Sequence, residues 1–220
     1  MLYKVLDEDG SAYHGGIGKW SLPHDGQPGG WMLRIEQLEM CFCGYHLVDA
    51  KHLVEWLGPT IYEAEGDAEG ELVADGKHCV HTARLLREIA TWNERTARLF
   101  ACDCAERVLP IYERYSSSGK APRQAIEVAR RFADGKATKE ELAAAWAAAR
   151  AAAGDAAGDA ARSAAWAAAR AAAGDAAWVA TWDWQTQRLF EYLSGQRGRE
   201  HDDLEMPMLR VGESPGGAAW

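Results

Sequence analysis

The chain has 220 residues, which is enough for one large domain or two small ones, each with its own hydrophobic core. Its formal charge of −9 at pH 7 argues against a protein that clamps nucleic acid over its whole surface, because that mode needs clustered Lys and Arg, although a local basic groove stays open. The first residues do not show the basic segment followed by an apolar run that is typical of a signal peptide. No apolar segment that is free of Gly and charge approaches the length needed to span a membrane. We therefore expect a cytoplasmic protein without a signal peptide or a membrane span.

The short apolar runs of the first ninety residues are separated by Gly, Pro and Asp. LYKVL at 2–6 predicts a strand, residues 7–10 predict a turn, and SAYHG at 11–15 predicts the returning partner strand. The Pro- and Gly-rich stretch 23–30 predicts a loop, and residues 31–38 predict a further strand.

The next segments complete a small mixed α+β domain. Residues 49–57 have helical spacing, with Asp49 as the N-cap. Residues 60–66 predict a strand, and the acidic stretch 66–76 predicts a loop or a short hairpin. We therefore predict an α+β domain over about residues 1–90.

Five cysteines include two pairs with the spacing C-x-C, Cys41 with Cys43 and Cys102 with Cys104. Reduced thiols in a cytoplasm are the simplest explanation, and we expect free thiols and no bound metal. The alternative is a tetrahedral zinc site, for which the C-x-C spacing is tighter than usual. Its candidate ligands are Cys41, Cys43, His46, His78, Cys79 and His81.

The helical period begins near residue 91. The first helix is predicted to end near the SSSG turn at 116–119. Pro122 suits the first turn of a second helix, which Gly135 would close as the residue after its C-cap. Thr138 and Glu141 fit a capping box at the start of a third helix.

A repeat of fourteen residues, AAWAAARAAAGDAA, occupies 144–157 and again 164–177. Alanine loses no side-chain entropy in a helix, so both copies are predicted to be helical. Trp146 and Trp166 would point to opposite sides of one straight helix, because they are about 200° apart around its axis. We therefore predict two short antiparallel helices and a third helix through 178–193. The helices would be separated by breaks at the Gly-Asp pairs 154–155, 158–159 and 174–175.

These segments together predict a helical bundle over 91–195 and a loosely ordered tail over 196–220. Arg150 and Arg170 each follow a Trp by four residues, so their guanidinium groups are predicted to lie over the indoles. Alanine-rich faces allow helices to approach closely, which leaves a homodimer open.

The helical part resembles the Ala- and Trp-rich proteins labelled as immunity proteins of bacteria and their phages. Besides the repeat, the resemblance rests on RLFACDCAERVLPIYE at 98–113, AIEVARRFADGK at 125–136 and QTQRLFEYL at 185–193. It covers nearly half of the chain. It implies an all-helical domain and a role in conflict between bacteria and phages or rival bacteria, and it carries no established catalytic residues.

The N-terminal part resembles a small phage-associated family without assigned function and, more distantly, the ADP-ribosyltransferase fold of the compact rifampin-modifying type. The resemblance rests on AYHGG at 12–16, CGYHLVDAKHLVEWL at 43–57 and TIYEAEGDAEGELVADGK at 60–77. The chain departs from that family at Gly16, where a Thr or Ser usually follows His-Gly.

This second resemblance implies a catalytic site with NAD as a possible substrate and no other cofactor. His14 would hold the ribose of the dinucleotide and Tyr45 would stack on the nicotinamide. An acidic residue would stabilise the cationic sugar. The leading candidates for that acid are Glu71 and Asp75, followed by Glu63, Glu65 and Glu69.

The implied chemistry is cleavage of an N-glycosidic bond, which develops positive charge on the sugar that a nearby carboxylate stabilises. Such a site could transfer ADP-ribose or excise a nucleic-acid base that is first flipped out of the helix. The residues expected to bind substrate beside His14 are Tyr13, Lys19, Trp20, Trp31 and Arg34.

Each candidate residue also has a structural explanation. His14 suits a turn between strands, Tyr45 suits packing, and the acidic stretch 63–75 suits a solvated loop. The competing hypothesis is therefore a non-catalytic immunity or inhibitor protein that binds a protein partner through its helices or its Trp-rich N-terminal surface. An enzyme requires His14, Tyr45 and one acid to converge on a common ligand position.

Overall fold

A computed structural model describes residues 1–16, 18–115, 120–156 and 180–197. The side chains at 111, 112, 114, 115 and 150–156 lie outside this description. The predictions for the turn at 116–119, the second repeat copy, the Gly-Asp pairs 158–159 and 174–175, the two arginines over the indoles and the tail beyond 197 therefore fall outside the described residues.

The N-terminal part forms a six-stranded sheet in which every neighbouring pair is antiparallel. The strand order across the sheet is β4-β5-β2-β1-β3-β6. The strands are β1 (Leu2–Leu6), β2 (Tyr45–Asp49), β3 (Thr60–Gly66), β4 (Leu72–Ala74), β5 (Lys77–Val80) and β6 (Ala83–Glu88). The predicted strands at 2–6 and 60–66 are confirmed as β1 and β3. The acidic stretch 66–76, for which a loop or a short hairpin was predicted, contains β4 and the turn that joins β4 to β5 in a hairpin.

The predicted hairpin between β1 and residues 11–15 is wrong. The segment forms single bridges, Leu6 with Ala12 and Ser11 with Lys19, and β1 lies instead between β2 and β3. Gly15 and Gly16 have φ of 84° and 90°, a conformation that turns the chain away from β1 before a ladder can form.

The predicted strand at 31–38 is also wrong, because this segment contacts the sheet without a regular ladder. The backbone amides of Gly29, Met32 and Ile35 donate to carbonyls of residues 85, 83 and 81, each at 2.9 Å. Bonding at every third residue is incompatible with the two-residue period of a strand. The segment instead covers the outer edge of β6.

The helix predicted over 49–57 is replaced by the end of β2 and one 3-10 turn at Leu53–Glu55. The carboxylate of Asp49 does accept a hydrogen bond from the amide of His52 at 2.9 Å, as an N-cap would. The preceding residues, however, alternate between the two faces of the sheet, with Leu47 and Val48 in different core clusters. Strand pairing therefore outweighs the local helical pattern.

After residue 93, the described part of the chain contains the helices α1 (Glu94–Tyr115), α2 (Ala121–Ala133), α3 (Lys139–Ala156) and α4 (180–193). The α+β class with a C-terminal helical region is thereby confirmed. Gly135 has φ of 69° just past α2, as predicted.

The predicted break at 154–155 is wrong, because α3 continues to Ala156. The surrounding alanines offset the cost of about 1 kcal/mol for glycine in a helix. Among the described residues, no helix has both the length and the apolar character needed to cross a bilayer.

The predicted capping box at the start of α3 is confirmed. The amide of Glu141 donates to Thr138 Oγ1 at 3.1 Å, and the amide of Thr138 donates to Glu141 Oε2 at 2.7 Å. We expect Thr138→Ala to lower the free energy of unfolding by about 1 kcal/mol, because one amide loses its acceptor. Urea denaturation measures this change. Thr138→Ser keeps the oxygen and serves as the control, and equal stability of the two variants would contradict the assignment.

One core joins the sheet to the helices. Tyr3, Val5 and Ile61 on one face of the sheet pack with residues of α1 and α4, including Leu99 and Leu189. Two hydrogen bonds support this joint, Trp92 Nε1 to the Gly58 carbonyl at 2.9 Å and Thr91 Oγ1 to the Leu193 carbonyl. A second core lies on the opposite face of the sheet, where Trp20 and Met32 pack against Leu6, Leu47, Tyr62, Val80 and Leu85.

Candidate functional site

His14 lies on the side of the sheet that the helices cover. Its Nε2 is 2.8 Å from the carbonyl oxygen of Trp56, and its ring packs edge-on against the rings of Tyr13 and Trp56, at centroid distances of 4.8 and 5.3 Å. Trp56 in turn packs against the core shared with α1 and α4. His14 thus contacts the aromatic rings of Tyr13 and Trp56, and its own side chain is exposed.

Tyr45 packs on the opposite face of the sheet. Its ring lies edge-on to buried Trp20 at 5.5 Å, and its hydroxyl donates to the carbonyl of Leu33 at 2.8 Å. Partial burial raises the pKa of Tyr45. Tyr45 thus belongs to the second core, and the sheet separates that core from the one behind Trp56, next to which His14 lies.

Trp20 also packs beside Lys4, whose side chain is half-buried. The Lys4 ammonium donates to the carbonyl of His46 at 3.0 Å and lies 5.0 Å from the indole centroid of Trp20. No described carboxylate forms an ion pair with it, and burial lowers the pKa of Lys4 from 10.5 to about 8.

This lysine predicts a pH dependence of stability. Between pH 8 and 10.5 the unfolded chain holds a proton on Lys4 that the folded protein has lost, so the contribution of Lys4 to stability rises with pH, by about 3 kcal/mol in total. We expect the unfolding free energy of the native protein, minus that of Lys4→Met, to increase over this range. Exposed Lys51→Met should show no such trend, and a flat difference for Lys4 would contradict the assignment.

The two leading acidic candidates flank β4. Glu71 Oε1 lies 2.6 Å from Nδ1 of His78, in a half-buried pair between the strands of the hairpin. Asp75 is exposed and occupies the tight turn between β4 and β5, where its φ of 48° and that of Gly76, 69°, fit a two-residue hairpin turn. Both residues thus have structural roles in the hairpin.

Of the other substrate-binding candidates, Lys19 pairs with Asp9 at 3.5 Å, whereas Trp31 and Arg34 lie near β6. The guanidinium of Arg84 lies 4.9 Å from the ring centroid of half-exposed Trp31. Arg34 Nη1 pairs with Asp67 Oδ2 at 2.6 Å. The described contacts join Tyr13 to His14 and Trp20 to Tyr45, but they connect neither pair to Glu71, Asp75, Trp31 or Arg34.

The candidate zinc ligands form other contacts. The amide of Cys41 donates to His46 Nε2 at 2.8 Å, and its sulfur lies 3.4 Å from the Lys77 ammonium. The buried thiol of Cys79 points to the carbonyl of Cys43, and its pKa is raised by burial. In the part of the chain that the structure describes, no three His, Cys, Asp or Glu side chains group as a metal site, and the five cysteines are free thiols.

A groove of about 620 Å³ lies between the helices and the loops beside β1. Its wall along α1 includes Ala97, Ala101 and Ala105, which follow each other at intervals of one helical turn. Ala125 and Ala129 of α2 form the facing wall. The rim includes Trp146 of α3, which is 45% exposed, together with Tyr13, Glu8, Glu94 and Arg98. The groove is thus a mainly apolar surface with small residues in its walls and an aromatic side chain at its rim.

A buried carboxylate, Asp103, holds α1, α2 and α4 together behind this groove. Its oxygens contact Arg130 at 2.7 Å, the Tyr192 hydroxyl at 3.0 Å, Arg197 at 3.4 Å and Arg188 at 3.7 Å. Glu106 also pairs with Arg130, and Glu191 pairs with Arg188 and Arg197. Burial, followed by the charge of Asp103, raises the pKa of Tyr192.

Neither the groove nor this network was predicted from the sequence. The signals were present in α1, as the small residues at 97, 101 and 105 and as an acidic residue, Asp103, that lies between two cysteines and one turn after two apolar residues, Leu99 and Phe100. Neither signal identifies its partners, because the arginines that meet Asp103 come from segments 27 to 94 residues further along the chain.

Comparison with protein families matches residues 87–190 to the family described as "Imm-5 like putative immunity protein". The match spans somewhat less than half of the chain, and it includes α1, α2, α3, Asp103 and the alanine walls of the groove. No curated protein and no solved structure matches the chain. The resemblance of the N-terminal part to ADP-ribosyltransferases stays a prediction. The helical part of this chain is thus similar to the Imm-5 like family, which supports an immunity-type role.

Proposed function

We propose that this protein has an immunity-type function and neutralises a protein partner by binding it, without catalysing a reaction. The observation that carries this proposal is the family match over residues 87–190. The placement of the predicted catalytic residues favours binding over catalysis, since His14 and Tyr45 lie next to cores on opposite faces of the sheet. The glycosidic chemistry suggested by the sequence gains no support from this arrangement.

The groove beside α1 is the surface we assign to this binding. Its alanine walls lie within the matched residues, and small side chains let another backbone approach closely. An apolar helix of the partner suits such a groove, because its larger side chains would enter between α1 and α2. Trp146 at the rim supplies the kind of aromatic contact that often dominates binding energy.

A genetic rescue experiment tests the function. Fragments of the genome that encodes this chain are expressed in a bacterial host, and those that stop growth are tested again with this protein co-expressed. We expect at least one growth-stopping product to be tolerated in its presence and to copurify with it at a fixed ratio. Rescue without a complex, or with a covalently altered product, would contradict neutralisation by binding.

A parallel assay tests the enzymatic alternative. The purified protein is incubated separately with NAD and with DNA, and small products are analysed by mass spectrometry. We expect no release of nicotinamide or of a free base. Release that disappears in His14→Ala would establish glycosidic chemistry and overturn the non-catalytic proposal.

A further inference from the structure

The two edges of the sheet differ in how they are protected. The outer edge of β6 is covered by the segment 29–35, whose amides bond to the carbonyls of Ala83 and Leu85 and to that of His81 just before the strand. Covering an edge in this way prevents pairing with another strand. The opposite edge is β4, and among the described residues no backbone hydrogen bond reaches it from the side away from β5.

The hairpin geometry determines which groups β4 presents. Ala74 and Lys77 flank the two-residue turn and therefore form a hydrogen-bonded pair with each other. Such pairs alternate along an antiparallel ladder, so the backbone N–H and C=O of Val73 point away from β5. All three residues of β4 are exposed, including Leu72 and Val73, of which Val73 is 58% exposed. The edge therefore combines unpaired backbone groups with exposed apolar side chains.

The surroundings of this edge are acidic. Glu69 precedes β4 and Asp75 follows it, both are exposed, and neither forms an ion pair with a described residue. The other nearby acids are already paired, Glu71 with His78 and Asp67 with Arg34. Negative charge at both ends of the strand thus remains available to a basic ligand, in a chain whose net charge is −9.

We propose that the outer edge of β4 binds an extended, basic segment of a partner protein as an additional strand of the sheet. Backbone hydrogen bonds to Val73 supply the pairing, Leu72 and Val73 supply apolar contact, and Glu69 and Asp75 select lysine or arginine at the ends of the segment. A second copy of this chain fits poorly, because antiparallel pairing of two β4 strands would oppose their acidic ends. The edge lies outside residues 87–190, so this inference does not depend on the proposed function.

The test uses the full chain and the blocked peptide Lys-Thr-Val-Val-Thr-Lys, with a peptide in which glutamate replaces both lysines as the charge control. We expect saturable binding of the basic peptide with a Kd below about 1 mM at low salt, and a shift of the Val73 amide signal in NMR spectra. The acidic peptide should not bind. Absence of saturable binding, or equal binding of both peptides, would overturn the proposal.

Two variants separate backbone pairing from charge. Val73→Pro removes the outward N–H while keeping the strand, since proline is tolerated where an edge N–H faces solvent, and it should weaken peptide binding at least about tenfold. Val73→Thr keeps the N–H and should bind normally. Asp75→Asn suits the turn and should weaken binding about two- to fivefold at low salt. Unchanged binding by Val73→Pro, or a native dimer that this variant abolishes, would overturn the assignment to a basic partner.

Discussion

Replacement of Asp103 by alanine is expected to lower the free energy of unfolding by about 3–5 kcal/mol, the range seen when one partner is removed from a buried ion pair. Asp103 is 5% exposed, and it is the carboxylate that Arg130, Arg188 and Arg197 share. The variant would leave these guanidinium groups close together with less compensating charge. It would also deprive the buried Tyr192 hydroxyl of its acceptor.

Urea denaturation followed by circular dichroism measures this loss. Glu94→Ala serves as the control, because it removes a carboxylate of the same helix whose side chain is 82% exposed and pairs with Arg98 across one turn. Its effect should stay within about 0.5 kcal/mol. If the two variants had equal stability, Asp103 would not be the charge that joins α1, α2 and α4.

Ala101→Arg is expected to weaken binding of the neutralised partner about 100-fold or more. Ala101 lies in the middle of the alanine wall along α1 and is exposed, so the variant should fold normally. A long charged side chain would occupy the groove and would be desolvated against an apolar helix of the partner. A factor of 100 corresponds to about 2.7 kcal/mol, which is typical of a central interface position.

The matched control for this change is Ala148→Arg on α3. Ala148 is also an exposed helical alanine, but it does not line the groove, because it is about 200° around the helix from Trp146. Isothermal titration calorimetry with the partner identified by rescue compares the two variants. Equal affinities of the two variants would show that the partner does not bind in the groove.

The helical elements were predictable where their signals are local. Thr138 and Glu141 cap α3 by contacts three residues apart, and Gly135 ends α2 by its own backbone conformation. The break expected at 154–155 was wrong because a glycine-aspartate pair competes with a long run of alanines, and the sum of their helix propensities decides the outcome.

The sheet was less predictable because strand partners are distant in sequence. β1 pairs with residues of β2 and β3 that lie more than forty positions away, and no local pattern in SAYHG excludes it as the partner. Likewise, the helical spacing at 49–57 does not reveal that the preceding residues are held between β1 and β5. Tertiary pairing overrides local propensity in both segments.

The candidate site shows the same limit. The resemblance to ADP-ribosyltransferases implied one site for His14 and Tyr45, but the short motifs that carry it do not specify the face of the sheet on which a side chain lies. The groove forms only when α1 packs against α2. From the sequence, its alanines could therefore be predicted to favour a helix, but not to line a binding surface. The composition of the acidic stretch predicted a loop or a short hairpin. That β4 forms an exposed edge of the sheet follows only from the strand order, which the sequence does not show.

The most direct test of the central claim is a titration of the neutralised protein with this chain. Activity of the growth-stopping product is measured at increasing molar ratios, and both proteins are weighed by mass spectrometry before and after. Neutralisation by binding predicts that inhibition saturates at a fixed stoichiometric ratio, with both masses unchanged. Complete inhibition by a small fraction of an equivalent, or a change in mass of the product, would show catalysis and contradict the account.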